Sequence, residues 1–329
     1  MPTSDLSSRH SVQDLASHFA PAGAYVELDR LIGCRFLCSQ LNINTIKPSK
    51  ALLSGPVKTR FKGRGMEFEE VRLYQPGDDI RTIDWRVTAR TQVPHTKIYK
   101  EERERPIFVL VDQRSSMFFG SRVCFKSVYA AHLAAMLGWM AIGQNDRIGA
   151  LIASDTQHHD VRPRRSKHAQ LELLHGLVAA NHGLTAPFAE QSQPLEEILK
   201  EAQRIVRPGN ALLVISDFHD FSDNCAKQLH LLSRHCDLTL FHVYDAMEAH
   251  LPTHDQLTVS NGLERLVLNT RSKAVQQAFD AQFSHRRQQL QKCADGLAIA
   301  LVDAPAHESP SDLLRAVYGR QDRRMGGRR

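Results

Sequence analysis

Two clusters in this chain carry groups that could do chemistry. Pro106-Ile107-Phe108-Val109-Leu110-Val111-Asp112 is an apolar run ending in an acid, followed by Arg114, Ser115 and Ser116. Such a run is how a buried parallel strand delivers oxygen ligands to the carboxyl edge of an α/β sheet, where these folds place their ligands. The second cluster, Arg72 to Arg90, holds Asp78, Asp79 and Asp84 among Arg72, Arg81, Arg86 and Arg90. Closely spaced carboxylates do acid and base work only where their environments separate their pKa values. With arginines this near, each Asp is expected to be an ionised partner in a salt-bridge network. Pro76-Gly77 reads as a turn, supported by Asp78 or Asp79 through side-chain bonds to backbone N–H. Trp85 is expected to be a buried anchor of this stretch, and exposed charges such as Arg81 to meet a partner.

Several other chemistries lack their residues. There is no Gly-x4-Gly-Lys-Ser/Thr loop, so the chain is not read as a nucleotide-driven motor, and Gly63-Arg64-Gly65 is too short to cradle a phosphate. Ser115 and Ser116 have no placed His and do not sit in Gly-x-Ser-x-Gly. His158-His159-Asp160 could meet a metal, but the chain has 17 histidines and no His-Glu-x-x-His. The Arg-rich segments have few interleaved aromatics on which bases could stack.

The elements that must position these groups follow from periodicity and punctuation. Apolar runs at 107–112, 147–153, 211–216, 238–243 and 297–303 read as strands. Segments 122–143, 166–180, 193–206, 223–234, 271–294 and 310–318 read as helices. Strands alternating with helices predict a mostly parallel sheet covered on both faces. Asn261-Gly262 between 256–259 and 264–268 predicts a hairpin. Tyr25 to Leu41 carries a helical apolar stripe, and Leu53 to Arg105 reads as a small β-rich part. The domain reading is a leader over 1–22, a helix and β-rich subdomain over 23–105, an α/β domain over 106–319 and a basic tail over 320–329.

Composition bounds the class. At 329 residues with 42% hydrophobic and 24% charged residues, the chain is expected to bury a substantial core. Val128 to Ile142 is shorter than the ~18 apolar residues a membrane span needs. The start Met1-Pro2-Thr3-Ser4-Asp5 lacks a secretory signal, so a cytoplasmic protein is expected. Six cysteines without a Cys-x-x-Cys are expected as reduced thiols, and Cys34 and Cys38 as neighbours on one helix face. The net charge of +6 comes partly from the tail, read as a solubilising end.

These residues also carry a family resemblance. Arg72, Tyr74, Pro76-Gly77-Asp78-Asp79, Arg81, Asp84-Trp85, Ala89-Arg90, Glu102, Asp112, Ser116-Met117, Gly120, Ser216-Asp217-Phe218, Asp245, Glu248 and Leu251-Pro252 together resemble the domain of unknown function 58 family. The resemblance runs from about residue 50 to 319. It implies a von Willebrand factor type A-like fold: an α/β, mostly parallel sheet with helices on both faces, here with an N-terminal helical segment and small β-rich subdomain. In that fold an Asp-x-Ser-x-Ser loop, a Thr and a further Asp hold a divalent cation, usually Mg²⁺, which an acidic partner residue completes.

Matched position by position, Asp112, Ser116 and Asp217 take ligand places, while Arg114 stands where a Ser belongs. The Thr place has only Ser192 or Thr185 near it. A guanidinium has no acceptor and repels a dication, so Arg114 is expected to pair with Asp112 or Asp217 and leave the site without metal. The resemblance implies a non-catalytic, bacterial, chaperone-like adaptor that works by protein–protein contact with a MoxR-type AAA+ ATPase and a client. Its docking residues would be Arg72, Tyr74, Pro76, Gly77, Asp78, Asp79, Arg81, Asp84, Trp85 and Arg90. A Mg²⁺-dependent hydrolase at the same sheet edge is the alternative, and nucleic-acid binding through the tail a third.

Overall fold

Apolar runs that do not alternate bury both faces of a strand, and such runs form the centre of a six-stranded sheet here. The structure, a computed structural model, describes residues 18–38, 41, 43, 66–75, 78–101, 106–186, 191–252, 257–260 and 265–319. It divides into two units, Met1–Gly55 with Pro106–Arg329, and Pro56–Arg105. Among the described residues the larger includes a short N-terminal helix, α1 (Leu28–Gly33). The smaller holds the antiparallel pair β1 (Met66–Leu73) and β2 (His95–Glu101), joined through helix α2 (Trp85–Thr91). Its two strands fall where the sequence places β-prone pieces.

The central strands are β3 (Ile107–Asp112), β4 (Ile148–Ala153), β5 (His158–Arg164), β6 (Ala211–Ser216), β7 (Asp237–Tyr244) and, after a hairpin, β10 (Ala300–Pro305). They lie in the order β10-β7-β6-β3-β4-β5. All neighbours pair in parallel except β4 and β5, which are antiparallel. Ile107, Val109 and Val111 bury one face with α3 (Lys126–Gly143), α4 (Lys167–His182) and α9 (Pro310–Tyr318). Phe108 and Leu110 bury the other with α5 (Leu195–Ile205), α6 (Asp223–Ser233) and α8 (Lys273–Leu297). The mostly parallel sheet covered on both faces is the architecture expected from the alternation of strands and helices. The expected hairpin is β8 (Leu257–Ser260) with β9 (Arg265–Leu268).

Three features depart from the expectations. β5 was not expected; it carries His158-His159-Asp160, all exposed at the sheet edge, and its composition is polar with Pro163. An edge strand tolerates both, because only one side of its backbone is paired. The short α7 (Ala246–Ala249) is also new, and is nucleated by a capping box between Asp245 and Glu248. Finally, α1 belongs to the larger unit, not with the β-rich part as the 23–105 grouping had it. Leu31 and Cys34 are buried in its core, the Trp139 indole donates to the Leu31 carbonyl at 2.9 Å, and Val26 N–H donates to Asn181 Oδ1 at 2.9 Å.

All six cysteines are free thiols; burial pushes Cys34 up to about 12, so it stays protonated at neutral pH. Burial also lowers His132 to about 4, although its Nδ1 bonds the Val128 carbonyl at 2.9 Å. A base whose folded pKa is depressed gives its full stability above the unfolded value near 6.5 and loses it as pH falls towards 4. His132→Leu is therefore expected to remove about 3 kcal/mol of the acid-induced loss between pH 7 and 4, read from urea melts at the two pH values. Equal pH slopes in both proteins would contradict this.

Candidate functional site

In this sheet order the chain leaves β3 toward β4 on one side and β6 toward β7 on the other. That reversal opens a crevice at the carboxyl ends of β3 and β6, where α/β sheets bind ligands. Asp112 ends β3 there and is fully buried. Its Oδ1 accepts from Arg114 N–H at 3.0 Å and Arg114 Nε at 3.0 Å. Its Oδ2 accepts from Arg114 Nη2 at 2.8 Å and from Ser216 Oγ at 2.7 Å. A carboxylate offers about four lone-pair sites, so Asp112 is saturated.

Arg114 is itself buried and forks to a second carboxylate. Nη1 donates to Asp220 Oδ2 at 2.9 Å and to the Gln193 carbonyl at 2.9 Å, and Nη2 donates to Asp220 Oδ1 at 3.0 Å. Burial opposes the guanidinium charge, but Asp112 and Asp220 raise its pKa above the ordinary arginine value. Of the two partners the sequence offered Arg114, the structure selects Asp112. Asp220 was missed; it lies three residues past the expected Asp217, and the unsatisfied half of a bidentate Arg was the available signal.

Asp217 has a different cation. Lys126, fully buried at the start of α3, donates from Nζ to Asp217 Oδ2 at 2.8 Å and to Glu248 Oε1 at 2.7 Å. Burial works against both charges, yet Lys126 is held above the ordinary lysine value by Asp217 and Glu248, and Asp217 well below the carboxylate range by Lys126. Glu248 Oε2 accepts Asp245 N–H at 2.9 Å, and Asp245 accepts Ser121 N–H at 2.9 Å, so the family positions Asp245 and Glu248 lock this corner. Phe218 takes a left-handed φ of 50° in the turn after Asp217, its N–H donating to Ser216 Oγ at 3.0 Å. Lys126 escaped the sequence reading, although a lone cation in Val123-Cys124-Phe125-Lys126-Ser127-Val128 marks a charge that must find acids.

A divalent cation does not fit this donor set. Asp112 is saturated, Asp217 spends Oδ2 on Lys126 and Oδ1 on His219 N–H at 3.1 Å, and two fixed positive charges occupy the crevice. Ser116 Oγ is buried with no hydrogen-bond partner, the one expected ligand atom left over. Neither Thr185 nor Ser192 joins the carboxylates; their loop reaches the site through the Gln193 carbonyl and Leu195 N–H, which donates to Asp220 Oδ2 at 2.8 Å. Ser115 turns away to Asp155, its Oγ donating to Oδ1 at 3.0 Å. Among the described residues no group of three or more His, Cys, Asp or Glu is arranged to hold a metal ion.

In the smaller unit the acids of the second cluster serve the backbone. Asp78 accepts from Arg72 Nη2 at 2.7 Å and from Gln75 N–H at 2.9 Å, and the Tyr74 hydroxyl donates to the Asp78 carbonyl at 3.2 Å. The Gln75 N–H and the Arg72 guanidinium lower Asp78 below its ordinary value. Asp79 accepts Arg81 N–H at 3.0 Å. Asp84 caps α2, accepting Arg86 N–H at 3.0 Å and Val87 N–H at 3.1 Å. Pro76 and Gly77, like Glu102 and the tail, lie outside the described residues.

The expected burial of Trp85 is overturned: its side chain is 68% exposed, because it follows the N-cap on the outer face of a two-turn helix. Trp85→Ala is therefore expected to leave melting within about 1 kcal/mol of the parent, as exposed substitutions do.

Residues 70–289 match the family model described as "Protein of unknown function DUF58". The chain is 32% identical over 193 residues to "Uncharacterized protein Rv1480" of Mycobacterium tuberculosis (strain ATCC 25618 / H37Rv), covering 58% of each chain. It is 35% identical over 94 residues to "Uncharacterized protein YeaD" of Bacillus subtilis (strain 168), covering 27% of this chain and 23% of that one. The chain thus spans well under two thirds of these relatives' length. Similar solved structures include the VWA domain of SpRpn10, at TM-score 0.40 and 13% identity, covering 66% of this chain and 98% of that one. BatB from Bacteroides thetaiotaomicron matches at TM-score 0.39 and 13% identity, covering 65% and 95%.

Proposed function

The chain belongs to the DUF58 family, and we propose that it acts there as a non-catalytic adaptor. In this reading it joins a MoxR-type AAA+ ATPase to a client protein by surface contact, in the cytoplasm. The observation that supports it is the state of the sheet-edge carboxylates. Asp112, Asp217, Asp220 and Glu248 are each committed to Arg114 or Lys126. A catalytic acid or base needs a proton it can exchange near neutral pH, and a nucleophile needs a base within reach. Carboxylate oxygens already spent on a guanidinium or an ammonium are not free to take up either role. What they supply is a rigid edge whose outer loops can hold a fixed shape for a partner.

Asp217 is too deeply buried for a clean test of contact, since losing it would strand Lys126. The exposed His219 and Val123 on the loops above the crevice are the better probes. Tagged protein drawn from its native cell is expected to enrich a MoxR-type ATPase, and His219→Glu with Val123→Asp to cut that enrichment while melting is unchanged. The isolated chain is expected to turn over no nucleotide, phosphoester or peptide. A saturable rate abolished by Asp112→Asn in a folded protein would replace the adaptor with an enzyme.

A further inference from the structure

The smaller unit sorts its charges in a way the sequence did not predict. Its carboxylates Asp78, Asp79 and Asp84 are spent on backbone N–H groups, and on Arg72 and Lys97. Arg81, Arg86 and Arg90 are all exposed, and among the described residues their side chains have no hydrogen bond or ion pair. Arg86 and Arg90 stand one helical turn apart on α2, as do Trp85 and Ala89, and all four are exposed. The caps thus draw Asp78 and Asp84 partly inward, while Asp79 and the guanidinium groups stay exposed.

Apolar side chains share that end of the unit. Trp85 is 68% exposed and Leu73 56% exposed. They are brought together through His95, which pairs with Leu73 across the β1–β2 ladder and whose carbonyl accepts Asp84 N–H at 2.8 Å. Val93, 47% exposed, precedes it by two residues. Ile80, 65% exposed, sits on the turn that runs into Ile83, which bridges to Thr96. A Trp among arginines with aliphatic neighbours is the composition of an interface hot spot, where a desolvated apolar centre is ringed by charge.

We infer that this face of the smaller unit docks an acidic protein surface bearing an apolar pocket. Trp85 fills the pocket, and Arg81, Arg86 and Arg90 meet its carboxylates. Charge complementarity selects an acidic partner, because three guanidinium groups without counter-ions repel a basic one and bind carboxylates bidentately. Nucleic acid and anionic membranes fit less well. The unit, Pro56–Arg105, carries twelve basic and nine acidic side chains, an excess that attracts any anion, so the apolar side chains make the distinction. Nucleotide phosphates gain nothing from Leu73, Ile80 and Val93, and the seven-residue α2, with Trp85 as its one large exposed apolar side chain, is too short to lie as an amphipathic helix in a membrane interface. The inference deepens the adaptor reading and rests on it for the role of the contact, though not for its chemistry.

The test places a photoreactive benzoylphenylalanine at Ala89, beside an intact Trp85, in the full chain expressed in its native cell. Crosslinked peptides are identified by mass spectrometry. The expected product is a protein segment rich in Asp and Glu with apolar residues between them. R86E with R90E is expected to lower its yield at least tenfold at unchanged melting temperature, and W85A likewise. Replacing the crosslinked partner's acids by arginine is expected to restore the yield with R86E/R90E. Crosslinks to RNA, to lipid or to a second copy of this chain overturn the inference, as do no crosslink at all and a yield indifferent to charge reversal. The partner's identity bears separately on the adaptor reading. An acidic protein that rescues by charge exchange but is neither an AAA+ ATPase nor its client keeps this surface and removes that role.

Discussion

Lys126→Met is expected to lower the stability of the larger unit by about 3–5 kcal/mol at pH 7, the cost of stranding a buried charge when its partner is removed. Methionine matches the lysine stem in length, so packing is nearly conserved and the loss reports the electrostatics. Two carboxylates are orphaned at once: Asp217, buried with Lys126, and the partly buried Glu248. The pH dependence gives the sign. In the parent, Asp217 lies below its unfolded value, so its stabilisation is present above about pH 4 and is lost as pH falls through the folded value. Without Lys126, burial is opposed only by the Arg114 charge and the His219 N–H, so Asp217 rises, the variant is least stable near neutrality and the gap to the parent narrows towards pH 4. Lys126→Met combined with Asp217→Asn and Glu248→Gln should recover much of the loss. Urea melts at pH 7 and pH 4 decide it, and a Lys126→Met protein that melts like the parent would remove the ammonium from any structural role.

Arg114→Ser should be the second large effect, and it has a gain as well as a cost. The change deletes every side-chain contact from Arg114 to Asp112, Asp220 and the Gln193 carbonyl, with a loss of about 3–5 kcal/mol expected in divalent-free buffer. It also frees lone pairs on two carboxylates and adds a hydroxyl beside Ser116, an oxygen-rich set of the kind that hard cations prefer. Millimolar Mg²⁺ or Mn²⁺ is therefore expected to raise the melting temperature of Arg114→Ser and to leave the parent unmoved, since binding stabilises only where a site exists. A divalent-dependent shift in the parent would show that its paired carboxylates still accept a metal. Identical behaviour of both proteins would show that Lys126 alone keeps the crevice closed to dications.

Much of the architecture was legible because it is written locally. Ile107–Asp112 and Ala211–Ser216 are short apolar runs too polar at their ends to be anything but buried strands; of the helices between them, α3 is a near-continuous apolar run, α4 has its Ser166 cap and α5 its apolar stripe. β5 was illegible for the converse reason: an edge strand is fixed by pairing with β4, and its own residues His158 to Arg164 carry no apolar alternation to announce it. Trp85 misled because a large aromatic is more often buried, while the capping of α2 by Asp84 decides which way it faces.

At the sheet edge the division is sharper. Two acids at the ends of apolar runs, Asp112 and Asp217, and an Arg between Asp112 and Ser116 can be read directly from the residues, and a guanidinium, having no lone pair to give, calls for carboxylate partners. Which carboxylates answer it depends on the fold. Arg114 bridges Asp112 and Asp220, 106 residues away from the latter, and Lys126 bridges Asp217 and Glu248 across 91 and 122 residues. Buried charge must be neutralised within a few ångströms, and which opposite charge stands that close depends on the order of strands in the sheet, not on proximity along the chain.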